Sequence, residues 1–181
     1  RLSVLLELGR QLGSLSGGMF LAAAAGKKVE ELTGGEVAVY LGNPGGEPHL
    51  AYGEKSSIAS HPVSGPAARW VIDRDLVAGA GTDTLPNAVA LFLPLSGAQG
   101  TVGAIAVRSE PAGRLLEPDN RRSLASCAGL LALAIERDKM AVAAAEAKAH
   151  AHAEHVRNVL LSGVSHDFRT PLAVIAGASD S

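Results

Sequence analysis

Residues 88–110 read AVALFLPLSGAQGTVGAIAVRSE: two nearly unbroken apolar runs joined by a short segment with Gly97 and Gly100 at its ends. Glycine bounds such a joint because a tight hairpin turn needs backbone angles that other residues adopt at a cost. Runs this apolar, with little alternation, are what central strands covered on both faces require. The segment therefore predicts an antiparallel hairpin at the middle of a sheet.

Working outward, GEVAVYLG at 35–42 and HLAYG at 49–53, separated by the turn-rich NPGGEP, predict a second hairpin. Before it, Leu2, Leu5, Leu6, Leu8, Leu12 and Leu15 recur close to a 3.6-residue period, an amphipathic helix ended by Ser16-Gly17-Gly18. A second helix over 19–32 stops at Gly34-Gly35, a third covers 64–73, and 83–87 forms a loop. From Glu117-Pro118 the chain carries no Gly-Pro punctuation before Gly163 except Gly129, which predicts one long helix. The order helix, helix, hairpin, helix, hairpin, long helix gives an α+β domain with an antiparallel sheet and its helices grouped to one side. Leu124, Ala128, Leu131, Ile135, Val142, Ala145 and Ala149, broken at Asp138, follow steps of three and four like a coiled-coil seam. The first half of that seam also suits packing on the sheet, and the two roles are compatible on successive stretches.

Composition narrows the function. A chain of 181 residues holds one domain with a real core plus an appendage. With 3% aromatics and 16 basic against 18 acidic residues, net charge −2, it offers neither stacking platforms nor a positive field for nucleic acid. The strongest apolar run, CAGLLALAI at 127–135, is about half the roughly 20 residues of a membrane span. Glu7 and Arg10 inside the first apolar pattern argue against a signal peptide. The lone Cys127 allows no internal disulfide, which fits a reducing, cytoplasmic setting, and burial as a small apolar residue is its expected role. A first residue of Arg rather than Met marks the chain as an expected fragment of a larger protein.

The chemistry sits near the end, in VSHDFRTPL at 164–172. At roughly 100° per residue, Leu161, Val164, Phe168, Leu172 and Ile175 share a stripe about 80° wide, and His166 falls roughly opposite it. A solvent-facing imidazole is largely neutral near pH 7 and so can act as a nucleophile. The adjacent Asp167 can take the ring proton as attack proceeds, Thr170 one turn on can position a water, and Pro171 removes a backbone donor just after the reactive turn. Spacing alone leaves open a surface helix with a chance histidine.

SHDFRTPL, eight consecutive positions, resembles the H-box of sensor histidine kinases. The segment before it resembles a GAF domain. More narrowly, GTDTLPN at 81–87, the apolar hairpin, ALAIERDKM at 132–140 and NVLLSGVSHDFRTPLAVIAGAS at 158–179, in that order, resemble the KdpD-type kinases of potassium-responsive two-component systems. The resemblance implies His166 as phosphoacceptor, Asp167 as general base and Thr170 as the water-positioning residue of phosphatase activity. It implies a GAF-like sensor domain over 1–138, a connecting coiled-coil-like helix over 139–158 and a truncated dimerisation and phosphoacceptor helix over 159–181. Expected partners are a second copy through the C-terminal helix, a response regulator controlling potassium uptake, and an unidentified small molecule in the GAF pocket, with the 81–87 loop as a lid.

ATP and Mg belong to the family's catalytic domain, which these residues do not include, so this chain alone is expected to be a phosphate acceptor at most. The second helix of the dimerisation bundle and the transmembrane helices are likewise absent, so the helix stripe is expected to fray or pair with another chain, and the segment to be the cytoplasmic portion of an inner-membrane protein. The alternative is a free-standing GAF ligand-binding or interaction module with an inert H-box remnant.

Three weaker signals complete the reading. The stretch 79–84 lacks the third glycine and the Lys-Ser/Thr ending of a phosphate loop, and a turn whose Asp and Thr bond their own backbone fits it better. Among His150, His152 and His155 only the last two share a helix face, with no Cys or carboxylate to complete a metal site. A single cysteine does not support bilin attachment or sulfoxide reduction.

Overall fold

The computed structural model describes the backbone of residues 2–43 and 46–178; the side chains of Leu2, Ala112 and residues 165–178 lie outside the described residues. The 88–110 segment forms β4 (Leu91–Gly97) and β5 (Gly100–Arg108), paired antiparallel with Phe92 opposite Ala106 and Leu93 opposite Ile105. β1 (Glu36–Leu41) pairs with the other edge of β5, β2 (His49–Tyr52) with β1, and the two-residue β3 (Ala78–Gly79) with β4. The result is a five-stranded antiparallel sheet in the order β2-β1-β5-β4-β3, with the apolar hairpin at its centre.

Side chains of a strand alternate between faces, so one apolar run supplies two cores. Val37, Val39, Leu41, Leu91, Leu93, Leu95, Ile105 and Val107 face α1 (Leu2–Ser14), α2 (Gly18–Thr33) and the first part of α4 (Pro118–Ala178). Ala38, Tyr40, Phe92, Ala104 and Ala106 face α3 (Ser64–Arg74), which contributes Ala67, Ala68 and Val71. The helices are thus not all on one side. Helix order carries no face information, whereas the unbroken apolar texture of β4 and β5 already required a cover on each face.

The two covers differ in character. Branched aliphatics fill the α1, α2 and α4 side, while alanines dominate the α3 side, with Tyr40, Ile58 and Phe92 among its large buried groups. Close packing is visible where α2 crosses β2: a Cβ on Gly26 would collide with the Tyr52 ring, whose hydroxyl donates to Glu30 Oε2 at 2.8 Å. α2 ends at Gly34 in the left-handed region (φ 66°), its N–H bonded to Glu30 O, the stop that Gly34-Gly35 predicts.

Two compact units make up the chain, Arg1–Lys139 and Met140–Ser181. In the first, Leu124, Cys127, Ala128, Leu131 and Ile135 of α4 are buried in the core, so this half of the seam packs on the sheet. In the second, which is the remainder of α4, Val142, Val156, Val159, Leu160, Leu161 and Val164 are exposed. Two elements escaped the sequence reading, β3 and a 3-10 turn over Ala112–Leu116, both too short to show a period. Among the described residues no helix is long and apolar enough to cross a membrane.

Candidate functional site

The α3 face of the sheet is where the domain combines polar groups with small side chains. Tyr40, 5% exposed, rises from β1 toward Ser64 in the first turn of α3, and burial pushes its hydroxyl above the ordinary 10.0 while the neighbouring Ser64 hydroxyl tempers the rise. Ser64 Oγ is itself buried and completes no hydrogen bond of full geometry. Such an unpaired hydroxyl costs free energy unless something satisfies it.

At the rim lies the loop 81–87. The Thr82 hydroxyl sits between the carbonyls of Gly79 and Thr84 at 2.8 and 2.7 Å and accepts from Thr84 N at 3.3 Å, while Gly79 N donates to Thr84 O. Thr82 thus bonds the backbone around it, as the structural-turn reading expects of the threonine, whereas Asp83 makes no such bond among the described residues. Leu85 holds a left-handed φ of 56° and packs against the α3-side core.

A second constellation surrounds the β4–β5 turn. Asp75, the left-handed cap of α3, accepts from Ser96 Oγ and, at 2.7 Å, from Thr101 Oγ1, a cross-strand pair flanking the turn. Those two bonds hold its carboxyl below the usual range. Glu136 of α4 reaches the turn as well: its carboxylate accepts from Gln99 N at 2.8 Å and Ala98 N at 3.0 Å, and these bonds lower its pKa. A Cβ on Gly97 would stand where that carboxylate lies. The next two residues bind the start of the domain. Arg137 donates to Leu12 O, Gly13 O and Leu15 O at 3.0, 3.1 and 2.7 Å, and Asp138 Oδ1 accepts from Gly17 N at 2.8 Å.

This Glu136-Arg137-Asp138 triplet was missed as a functional unit. The available signal was Asp138 interrupting an otherwise apolar seam, beside two further charges on a helix about to leave its core. Elsewhere, a groove of about 540 Å³ is lined by Gly35, Glu36, Ser57, Arg108 and Glu110. Arg108 there donates to Ser57 Oγ at 2.8 Å and pairs with Glu110 at 3.5 Å, and Ser57 Oγ bonds Glu36. Its positive charge is already engaged within the protein.

Of the residues singled out from sequence, Cys127 is buried, 1% exposed, and burial lifts its thiol to about 11. His150, His152 and His155 are exposed on α4, and among the described residues no three His, Cys, Asp or Glu converge as a metal site. His166, Asp167 and Thr170 fall within the backbone range of α4, but their side chains lie outside the described residues.

An antiparallel sheet in 2-1-5-4-3 order between α3 and a three-helix layer defines the class, and residues 23–137 match the GAF domain family, to which the chain belongs. Within that family it is KdpD-like. It is 37% identical over 113 residues to the sensor protein KdpD of Escherichia coli (strain K12), covering 62% of this chain and 13% of that protein. It is 30% identical over 129 residues to the sensor protein KdpD of Clostridium acetobutylicum, covering 71% of this chain and 14% of that protein. The chain therefore spans only a small part of the length of these relatives. The crystal structure of the native GAF domain of the potassium sensor histidine kinase KdpD from Escherichia coli superimposes with a TM-score of 0.70 at 27% identity, covering 80% of this chain and 99% of that one.

Proposed function

We propose that the chain is the GAF sensor segment of a KdpD-type sensor histidine kinase, continuing into the helix that bears its phosphoacceptor. The observation that carries the reading is the continuity of α4: one helix supplies the core residues Leu124 to Ile135 of a KdpD-like GAF domain and runs on through the SHDFRTPL segment. In this reading His166 attacks the γ-phosphorus of ATP, Asp167 takes the imidazole proton, and ADP leaves. Thr170 orients the water that later hydrolyses the phosphohistidine. ATP and Mg are held by the family's catalytic domain, and an aspartate of the cognate response regulator, controlling potassium uptake, receives the phosphoryl group.

The exposed apolar side chains from Val142 to Val164 support pairing with a second copy along the C-terminal helix, the arrangement in which a catalytic domain reaches the histidine. A small-molecule input at the α3 face belongs to the same reading, with Tyr40 and the Ser64 hydroxyl as its polar groups. This reading places the segment in the cytoplasm. Incubating the full-length protein with labelled ATP and Mg, wild type beside His166→Gln, tests the assignment. Loss of acid-labile label in the variant is expected, and equal labelling of both would overturn it.

A further inference from the structure

The β4–β5 turn is bound from both sides of the sheet. Asp75, at the end of α3, holds the Ser96 and Thr101 hydroxyls on one face, while Glu136 of α4 holds the Ala98 and Gln99 amides from the other. Neither grip is needed to satisfy the turn. Ala98 and Gln99 are exposed, so water would serve their N–H groups, yet Glu136 is buried to 7% exposure to reach them. A buried carboxylate is an expensive way to replace two waters, and it leaves room only for glycine at position 97. What it adds is a fixed link between the hairpin and the last turn of α4 inside the domain. Arg137 and Asp138, immediately after, pass that link to the end of α1 and the α1–α2 joint.

We propose that the β4–β5 turn is the coupling element of this domain, delivering a displacement of α3 through Asp75, the Ser96 and Thr101 pair and Glu136 to the α4 turn that precedes Met140. The inference rests on the signalling reading above for its purpose, while the mechanical link itself is a property of the domain. A group entering the α3 face moves α3 against the sheet. Asp75 carries that movement to the turn because its oxygen holds both strands of the hairpin. The turn in turn loads or slackens the two amide bonds on Glu136.

Amide hydrogen exchange on the 181-residue chain tests the link without requiring phosphoryl transfer. Asp75→Gly removes the carboxylate but keeps a residue suited to the left-handed cap. Ser96→Ala with Thr101→Val removes the donors and leaves α3 untouched, and Asp73→Asn, on the outer face of α3 beside Arg69, is the control. Both coupling variants are expected to raise exchange at Ala98, Gln99 and residues 137–140 by about fivefold or more, with β1 and β5 protection unchanged and the control within about twofold. Changes confined to residues 74–76, 96 and 101 would overturn the proposal, as would a uniform rise across β1 and β5, which signals loss of fold rather than a link. Coupling observed together with equal labelling of wild type and His166→Gln would remove the kinase reading and leave the mechanical one standing. Lost labelling with no exchange response would do the reverse.

Discussion

Glu136 and Ser64 are two buried polar side chains that are treated oppositely. Glu136 keeps its charge because two backbone amides point at it, and those amides hold its pKa below the ordinary 4.5 despite opposition from burial. Ser64 has no such provision. Its hydroxyl lies within the alanine-rich core beneath α3 without a completed hydrogen bond, a situation that costs about 1–3 kcal/mol. Ser64→Ala is therefore expected to leave stability unchanged or raise it by about 1 kcal/mol in urea unfolding, with the denaturant slope preserved. A loss of more than about 1 kcal/mol would mean that Tyr40 and Ser64 form a full hydrogen bond in the folded state, and would remove Ser64 as a group awaiting a ligand. None of this was legible in the sequence, where Ser64 is one of many serines and nothing in HPVSGPAARW distinguishes a buried hydroxyl from a surface one. Cys127 was legible, because its neighbours Leu124, Ala128 and Leu131 place it on the inward face of a helix period.

Among the elements, α4 changes environment along its length while the spacing of its apolar residues resumes past the break at Asp138. The three- and four-residue steps from Leu124 to Ala149 run across the unit boundary at Lys139, yet Leu131 is fully buried against the sheet and Val142 is 52% exposed. Periodicity reports which face is apolar and not what covers it, so the spacing alone left sheet packing and a coiled coil both open. The structure assigns the first half to the sheet. Leu131→Ala is expected to destabilise the domain by about 2–5 kcal/mol through lost burial and an unfilled cavity. Leu160→Ala, at an exposed position, is expected to change the unfolding of a dilute chain by less than about 0.5 kcal/mol while weakening its self-association in sedimentation. Equal effects of the two on thermal unfolding, with no change in association, would contradict this division of the helix. The turn between β4 and β5 was equally readable as a turn and unreadable as a clamp, since Asp75 and Glu136 lie 21 and 37 or more residues away from the groups they hold.

At the scale of the whole molecule, the central hairpin sets the architecture. A run of nearly continuous apolar residues supplies two faces at once, and the chain meets that demand with α1, α2 and the first part of α4 on one side and α3 on the other. The sheet and its hairpins followed from texture and turn residues. The placement of α3 did not, because which face a crossing helix takes is decided by the connection and by the size of the side chains it lands on. Small residues on one face, Ala38, Ala104 and Ala106, admit a helix that itself presents Ala67 and Ala68, and this is also the face toward which the 81–87 loop anchors Leu85. SHDFRTPL was the most specific stretch of the sequence, and the backbone of α4, whose first part covers the other face, extends through it.

In the proposed reading, the GAF domain governs His166 through the phase of one continuous helix. Insertions directly after Lys139 in the full-length protein test it, with acid-labile label at His166 as the readout. Seven added residues restore the facing of a helical seam and four rotate it. The account predicts that the seven-residue insertion keeps labelling within about twofold of wild type and the four-residue insertion shifts it by about fivefold or more. Equal labelling from both insertions would contradict it.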